Sequence, residues 1–240
     1  MSHSHSSQTD RRLDLHIDFI DECEQSAHIK LVSERRQLIE RVLREACEVP
    51  VVKDRLLKRW QKARGFEEGA TADPFYPAYP GYPADDRVLR FELVLVNALS
   101  NTSQEANRDF RDRDRPTNVL SFPAELEAVE LSFFSEALSA SAESAEPADQ
   151  ALSGALPLGD LILCAEVIQK EATDQAKTLN AHYAHLACHG LLHLLGYDHA
   201  GDDEADEMEA LEIQLLDRLG FANPYQAGKG QAASAANDQL

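Results

Sequence analysis

Residues 13–20 read Leu-Asp-Leu-His-Ile-Asp-Phe-Ile, an alternation with a period of two that lays one face of a β-strand on a core and leaves the other to solvent. The period then lengthens. Residues 33–47 carry Leu38, Ile39, Val42 and Leu43 at helical spacing, and 53–64 continue as a second, basic helical segment. The apolar run 88–97 predicts a strand, 102–110 a short helix capped by Asn101 or Thr102, 117–122 a strand entered after Pro116, and 158–164 a fourth strand. Helices follow at 165–176, 178–195 and 202–219, the last with Met208, Leu211, Ile213, Leu215 and Leu216 turned inward and Gly220 as its stop. The helix at 178–195 is apolar nearly all round, through Leu186, Leu191, Leu192, Leu194 and Leu195, and such a helix belongs inside. The pattern predicts an α/β fold: a single domain with one mixed sheet of about four strands, helices to either side, and a central buried helix.

Two stretches break the pattern. Residues 65–86 interleave Pro74, Pro77, Pro80 and Pro83 with Tyr76, Tyr79 and Tyr82, which is loop chemistry. Residues 124–157 are rich in Ala, Ser and Glu, consistent with a mobile acidic flap that is helical around 131–138. Both read as insertions in a domain spanning 13–225, with a disordered leader at 1–12 and a disordered tail at 226–240. The leader has no apolar core after a basic start and so is not a signal peptide, and no run approaches the length that crosses a bilayer. Its His3 and His5 lack a rigid frame. Cys23, Cys47, Cys164 and Cys188 form no C-x-x-C pair, which fits reduced cytosolic thiols rather than a disulfide framework.

The buried helix also carries the chemistry. Residues 189–199 read HGLLHLLGYDH, placing histidines at relative positions 0, 4 and 10. His189 and His193 share one helix face, Gly196 supplies the left-handed residue that stops the helix, and His199 returns as a third ligand. Three imidazoles leave one tetrahedral position open, the mark of a catalytic rather than a structural zinc site. Zinc protease motifs share this spacing but place a general-base Glu after the first His, where this chain has Gly190. What survives is a metal-activated water, or a metal acting as Lewis acid on a phosphoryl or carbonyl oxygen. Imidazoles also accept nickel and copper, so a different divalent ion stays open. Asp198 serves as a helix-end hydrogen bonder or as a partner for a ligating ring.

Such a centre needs a second electrophile. Residues 107–123 hold Arg108, Arg111, Arg113 and Arg115, whose guanidinium forks match phosphate oxygens, with Asp109, Asp112 and Asp114 between them. Arg113 and Arg115 are candidate substrate contacts; a solvated loop with local salt bridges is the other reading of most of these arginines. The formal net charge of −19 is polarised: acid at 125–149 and 202–217, base from Lys30 to Arg64. A polyanionic partner would meet the basic helix and the arginine loop; alternatively the former is only the polar face of amphipathic helices.

Three runs, RPTNVLSFP at 115–123, LGDLI at 158–162 and HGLLHLLGYDH at 189–199, together resemble the YbeY family of bacterial metal-dependent endoribonucleases, from about residue 13 to 225 with the two insertions as departures. The resemblance implies His189, His193 and His199 as zinc ligands. It implies Arg111, which matches the arginine of R-x-x-x-x-P-T-N/D-V-L-S-F, as the residue needed for activity. It further implies cleavage of single-stranded RNA in 16S rRNA 3′-end maturation and ribosome quality control, with rRNA and the small ribosomal subunit as partners in the cytoplasm. With no base at Gly190, proton removal is left to metal-activated water or to the ribose 2′-hydroxyl. A metalloprotease-like hydrolase and a non-catalytic, zinc-stabilised ribosome assembly factor are the other classes open to the same residues.

Overall fold

In a computed structural model that describes residues 12–26, 31–63, 88–124, 155–199 and 201–226, the alternating segment forms strand β1 (Arg12–Asp21), with Leu15 and Ile17 buried and Asp14, His16 and Asp18 exposed. It pairs in parallel with β2 (Val88–Ala98), and β2 pairs in parallel with β4 (Leu156–Cys164). Strand β3 (Val119–Pro123) runs antiparallel along the far side of β4, giving a mixed sheet in the order β1-β2-β4-β3. The helices are α1 (Ser33–Cys47), α2 (Pro50–Ala63), α3 (Ser100–Arg111), α4 (Ala165–Asp174), α5 (Leu179–Leu194) and α6 (Asp202–Arg218).

The two faces of the sheet are covered unequally. Leu15, Ile17, Leu89, Phe91, Leu93, Leu95, Leu161 and Leu163 meet side chains of α1, α2, α4, α5 and α6 in the main core. On the opposite face Val96, Leu120 and Ile162 meet Ala106 of α3. Helix α5 lies in the middle of the larger layer, against α1, α4, α6, β3 and β4. Each end of α5 is secured locally. The Thr178 hydroxyl accepts from Ala181 N–H at 3.2 Å. At the other end Gly196 adopts φ +81°, with Gly196 N–H donating to His193 O and Tyr197 N–H to Leu192 O, both at 3.0 Å. These paired bonds are a Schellman stop, which turns the chain back over the helix face it has just left.

Several boundaries differ from the sequence expectation, each for a non-local reason. Helix α3 begins at Ser100, ahead of the expected caps Asn101 and Thr102, because its first amides are taken by distant carboxylates: Leu99 N–H donates to Glu22 at 3.1 Å and Ser100 N–H to Glu166 at 3.0 Å. Strand β4 starts at Leu156 and admits Pro157 where the register with β2 shifts between Glu92 and Leu93, a place where a missing N–H is tolerated. Strand β3 starts at Val119, since the Asn118 side chain accepts the Val119 amide at 2.7 Å. On α6, Ile213 is only half-buried and Glu212 takes the inward position instead. The four cysteines are all buried free thiols. The expected leader before Arg12, the insertion 65–86, nearly all of 124–157 with its helix at 131–138, and the tail from 227 lie outside the described residues. Among those described, no helix is long and apolar enough to cross a membrane.

Gly159 sits at φ +127°, and a Cβ there would lie 2.0 Å from the Phe122 carbonyl oxygen on the paired strand. Gly159→Ala should therefore lose at least the ~1–3 kcal/mol of a strained backbone conformation, read as a lower denaturant midpoint; an unchanged midpoint would mean that β3 and β4 pair more loosely there.

Candidate metal centre

Helix α5 turns His182, His185, His189 and His193 along one stripe, and the Schellman stop brings His199 back beside the last two. The ligand atoms of His189, His193 and His199 all lie within 4.8 Å of one another. The Nε2 atoms of His189 and His193 are 3.1 Å apart. Two nitrogens bound tetrahedrally to one zinc ion at ~2.0–2.1 Å would stand ~3.3 Å apart, so the pair needs almost no adjustment. The ring centroids of His199 lie 5.7 Å from that of His189 and 5.0 Å from that of His193. His189 and His193 are half-buried and His199 is exposed, which leaves the cluster reachable from solvent.

The other ring nitrogens decide the tautomers. His193 Nδ1 donates to the Tyr197 carbonyl at 2.9 Å, and His189 Nδ1 donates to Glu212 at 2.8 Å. Each Nε2 thus keeps its lone pair for an ion. Burial pushes the His193 pKa down, and the neighbouring His189 and His199 push it further the same way, favouring the neutral ring that ligates. The donor set, three imidazoles with an accessible fourth side, fits a divalent zinc-like ion.

Glu212 is the residue the sequence reading missed. It is 0% exposed, and an ionised carboxylate so placed is costly unless donors surround it. Here His189 donates to one oxygen; His185, at 2.9 Å, and Tyr225 donate to the other. Burial raises the pKa of Glu212, but the hydrogen bonds from His185, His189 and Tyr225 outweigh it and hold the group at about 2. A signal was present: Glu212 falls on the apolar stripe of Met208, Leu211 and Leu215, where a carboxylate has no reason to be without partners. Tyr225 carried no such mark. His185, His189 and Glu212 also bring ligand atoms within 4.8 Å, but protons bridge those gaps at hydrogen-bond distance, so this group positions a ligand rather than holding an ion of its own.

Gly190 is explained by the sheet beneath it. A Cβ at this position would come 2.7 Å from Leu161 Cδ2 and 3.3 Å from both Ser121 Oγ and Val119 Cγ2. The helix position that holds a base in zinc proteases here faces packed strand, and a side chain there would have to displace Leu161. Ser121 Oγ instead donates to the Gly190 carbonyl at 3.1 Å. Ser121 also offers its own carbonyl to Arg111, whose Nη2 donates at 3.2 Å. One residue of β3 therefore links the metal helix to the guanidinium expected to act. Arg113 and Arg115 are exposed and make no side-chain hydrogen bond or ion pair among the described residues; neither bonds to the three histidines. Arg108 pairs with Asp109 at 2.8 Å as a surface salt bridge. Asp198 accepts from His199 N–H at 2.7 Å, its helix-end role.

Most described basic side chains of α1 and α2 have partners within the fold. Arg55 stacks over the Tyr197 ring at 3.6 Å and donates to Leu195 O at 3.3 Å. Arg59 donates to Leu194 O at 2.9 Å and also to the carbonyls of Ala124, Pro157 and Leu158. Arg35 and Arg36 lie over the rings of Tyr183 and Phe19, while Arg44, Lys53 and Lys58 pair with Glu40, Glu48 and Asp54. Of the two readings of this segment, the amphipathic one accounts for most of its charge.

Comparison with known proteins returns a consistent family. A family model described as Endoribonuclease YbeY matches residues 83–220. A relative from Colwellia psychrerythraea (strain 34H / ATCC BAA-681), named Endoribonuclease YbeY, is 43% identical over 136 residues, covering 56% of this chain and 72% of the relative. A solution structure of a Thermotoga maritima protein aligns over 88% of this chain and 99% of that one, at 16% identity and a TM-score of 0.36, too low a likeness to add to the argument.

Replacing Glu212 by Ala should weaken metal binding about 10- to 100-fold by releasing His189, measured by competition with a chromophoric chelator. Glu212→Gln, which keeps an acceptor oxygen, should fall between. Wild-type affinity in the alanine variant would remove Glu212 from the site.

Proposed function

The chain belongs to the YbeY endoribonuclease family, and from that premise we propose that it is a zinc-dependent endoribonuclease cutting single-stranded RNA, in 16S rRNA 3′-end maturation and ribosome quality control. Its partners in this reading are rRNA and the small ribosomal subunit, in the cytoplasm. The observation that carries the proposal is the convergence of His189, His193 and His199 on a helix tied through Ser121 to the guanidinium of Arg111.

His189, His193 and His199 would hold the ion through neutral imidazoles, with Glu212 and the Tyr197 carbonyl fixing the first two rings. When bound, zinc supplies Lewis acidity toward a phosphoryl oxygen and lowers the pKa of a coordinated water. Arg111, with one nitrogen on the Ser121 carbonyl, keeps donors for the negative charge that builds on the phosphoryl oxygens, a contribution whose removal costs ~10²–10³ in rate at comparable sites. Arg113 and Arg115 would bind flanking phosphates. No side chain at position 190 can take a proton, so the proton leaves with solvent or from the ribose 2′-hydroxyl. The two routes give a 5′-phosphate or a cyclic phosphate, and analysis of the cut ends separates them. Gly190 offers no proton acceptor where zinc proteases place their Glu, which favours the nuclease reading over a peptidase.

Arg111→Ala should lower cleavage of single-stranded RNA by at least ~10²-fold with zinc content unchanged; undiminished cleavage would take Arg111 out of the reaction. His193→Ala should lose both zinc and cleavage, and full zinc occupancy in that variant would overturn the ligand assignment. A chelator added to the wild-type protein should stop cleavage, and readdition of zinc should restore it.

A further inference from the structure

We propose that Tyr225 is a positioning residue for the metal centre: its phenol holds Glu212 in the orientation that fixes His189, so the bond that prepares a ligand also seats the segment after α6. This rests on the zinc-ligand reading above and deepens it by coupling ion binding to a part of the chain that supplies no ligand.

Helix α6 ends in a second left-handed glycine. Gly220 takes φ +81°, with Gly220 N–H donating to Asp217 O at 3.0 Å and Phe221 N–H to Leu216 O at 2.8 Å. That stop turns the chain back, and Leu219 and Phe221 pack against the main core. The residues that follow are held at few points. Lys177 Nζ donates to Pro224 O at 2.7 Å. Asn223 shapes the turn, accepting from Tyr225 N–H on its side chain at 2.9 Å and from Gln226 N–H on its carbonyl at 3.3 Å. The remaining anchor is the Tyr225 hydroxyl, which donates to Glu212. Tyr225 is 41% exposed, while the carboxylate it bonds is wholly enclosed, so this side chain reaches inward from the surface to the least accessible member of the centre.

The donors around Glu212 are divided between its two oxygens. Oε1 accepts from His189, and Oε2 accepts from His185 and Tyr225. The pair on Oε2 does not compete with His189 for a lone pair; it sets the direction in which Oε1 points. Burial raises the Tyr225 pKa, and so does the carboxylate beside it, so the phenol keeps its proton and is the donor. His185 is itself weakly located. Its Nδ1 has no hydrogen-bond partner among the described residues, and the Tyr225 ring stands edge-on to it at 5.5 Å between centroids and 84° between planes. Tyr225 therefore secures Oε2 twice, through its own O–H and through the wall it makes for His185. Linkage makes the effect reciprocal: if the seated phenol raises affinity for the ion, the bound ion must hold the segment down by the same factor.

The test uses the full chain and zinc alone. Tyr225→Phe keeps the ring against His185 and removes only the donor; by chelator competition it should bind zinc about 10-fold more weakly, the lower end for partners that orient a metal ligand. In wild type, saturating zinc should slow amide exchange at Tyr225 and Gln226 by a similar factor of about 10, and Tyr225→Phe should abolish that dependence on zinc. Lys177→Met cuts the segment's other anchor, away from the centre. It should speed exchange at both amides with and without zinc, yet keep the zinc-dependent factor and the zinc affinity within about twofold of wild type. In the zinc-loaded protein the NMR signal of the His189 Nδ1 proton bonded to Glu212 should broaden in Tyr225→Phe and stay sharp in Lys177→Met. Zinc affinity within about twofold of wild type in Tyr225→Phe, protection at Tyr225 and Gln226 that ignores zinc in the wild-type chain, or a Tyr225→Phe protein that matches Lys177→Met in every readout would overturn the proposal. If the wild-type chain binds zinc and Tyr225→Phe binds it equally well, only the role of Tyr225 falls; a wild-type chain that binds no zinc sinks the ligand assignment and the coupling with it.

Discussion

Glu212, wholly enclosed and still ionised, is the constraint around which the centre is organised. On a helix buried on nearly every side, this carboxylate fixes two of the histidine rings at once. The arrangement works in both directions. The imidazole and phenol donors make an otherwise prohibitive buried charge tolerable, and the charge in turn fixes which nitrogen of His189 faces the open side. Tyr225 brings the segment after α6 into the same network. The orientation of His189 and the packing of the chain's last described residues are thus set by one set of bonds.

A second constraint comes from closeness. Helix α5 rests so tightly on β3 and β4 that position 190 has no room for a side chain, and the bond from Ser121 to the Gly190 carbonyl uses that closeness. The same contact that crowds position 190 brings β3, to which the Arg111 guanidinium is bonded, against α5.

Much of this was legible beforehand. Alternation in β1, the apolar girth of α5, the histidine spacing and the Gly196 stop are local signals, and local signals survive folding. The rest depended on partners far away in sequence. The start of α3 was misplaced because Glu22 and Glu166 supply its caps. Pro157 hid the first residues of β4 because a register shift elsewhere admits it. The basic helices resembled a nucleic-acid surface because nothing in α1 or α2 announces that Arg55 and Arg59 reach the end of α5. Glu212 was hidden in a helix full of acids, distinguishable only by the face it occupies.

Arg59 has one consequence for how the fold tolerates change. Its guanidinium grips Ala124 and Pro157 together, the residues at which the chain leaves the sheet after β3 and re-enters it at β4, and it grips the last turn of α5 as well. A knot tied at the base of an excursion makes the excursion's length nearly irrelevant, since closing a longer loop costs only a logarithmic increment. Evolution can lengthen, shorten or rewrite what lies between those two points while α5 stays where it is.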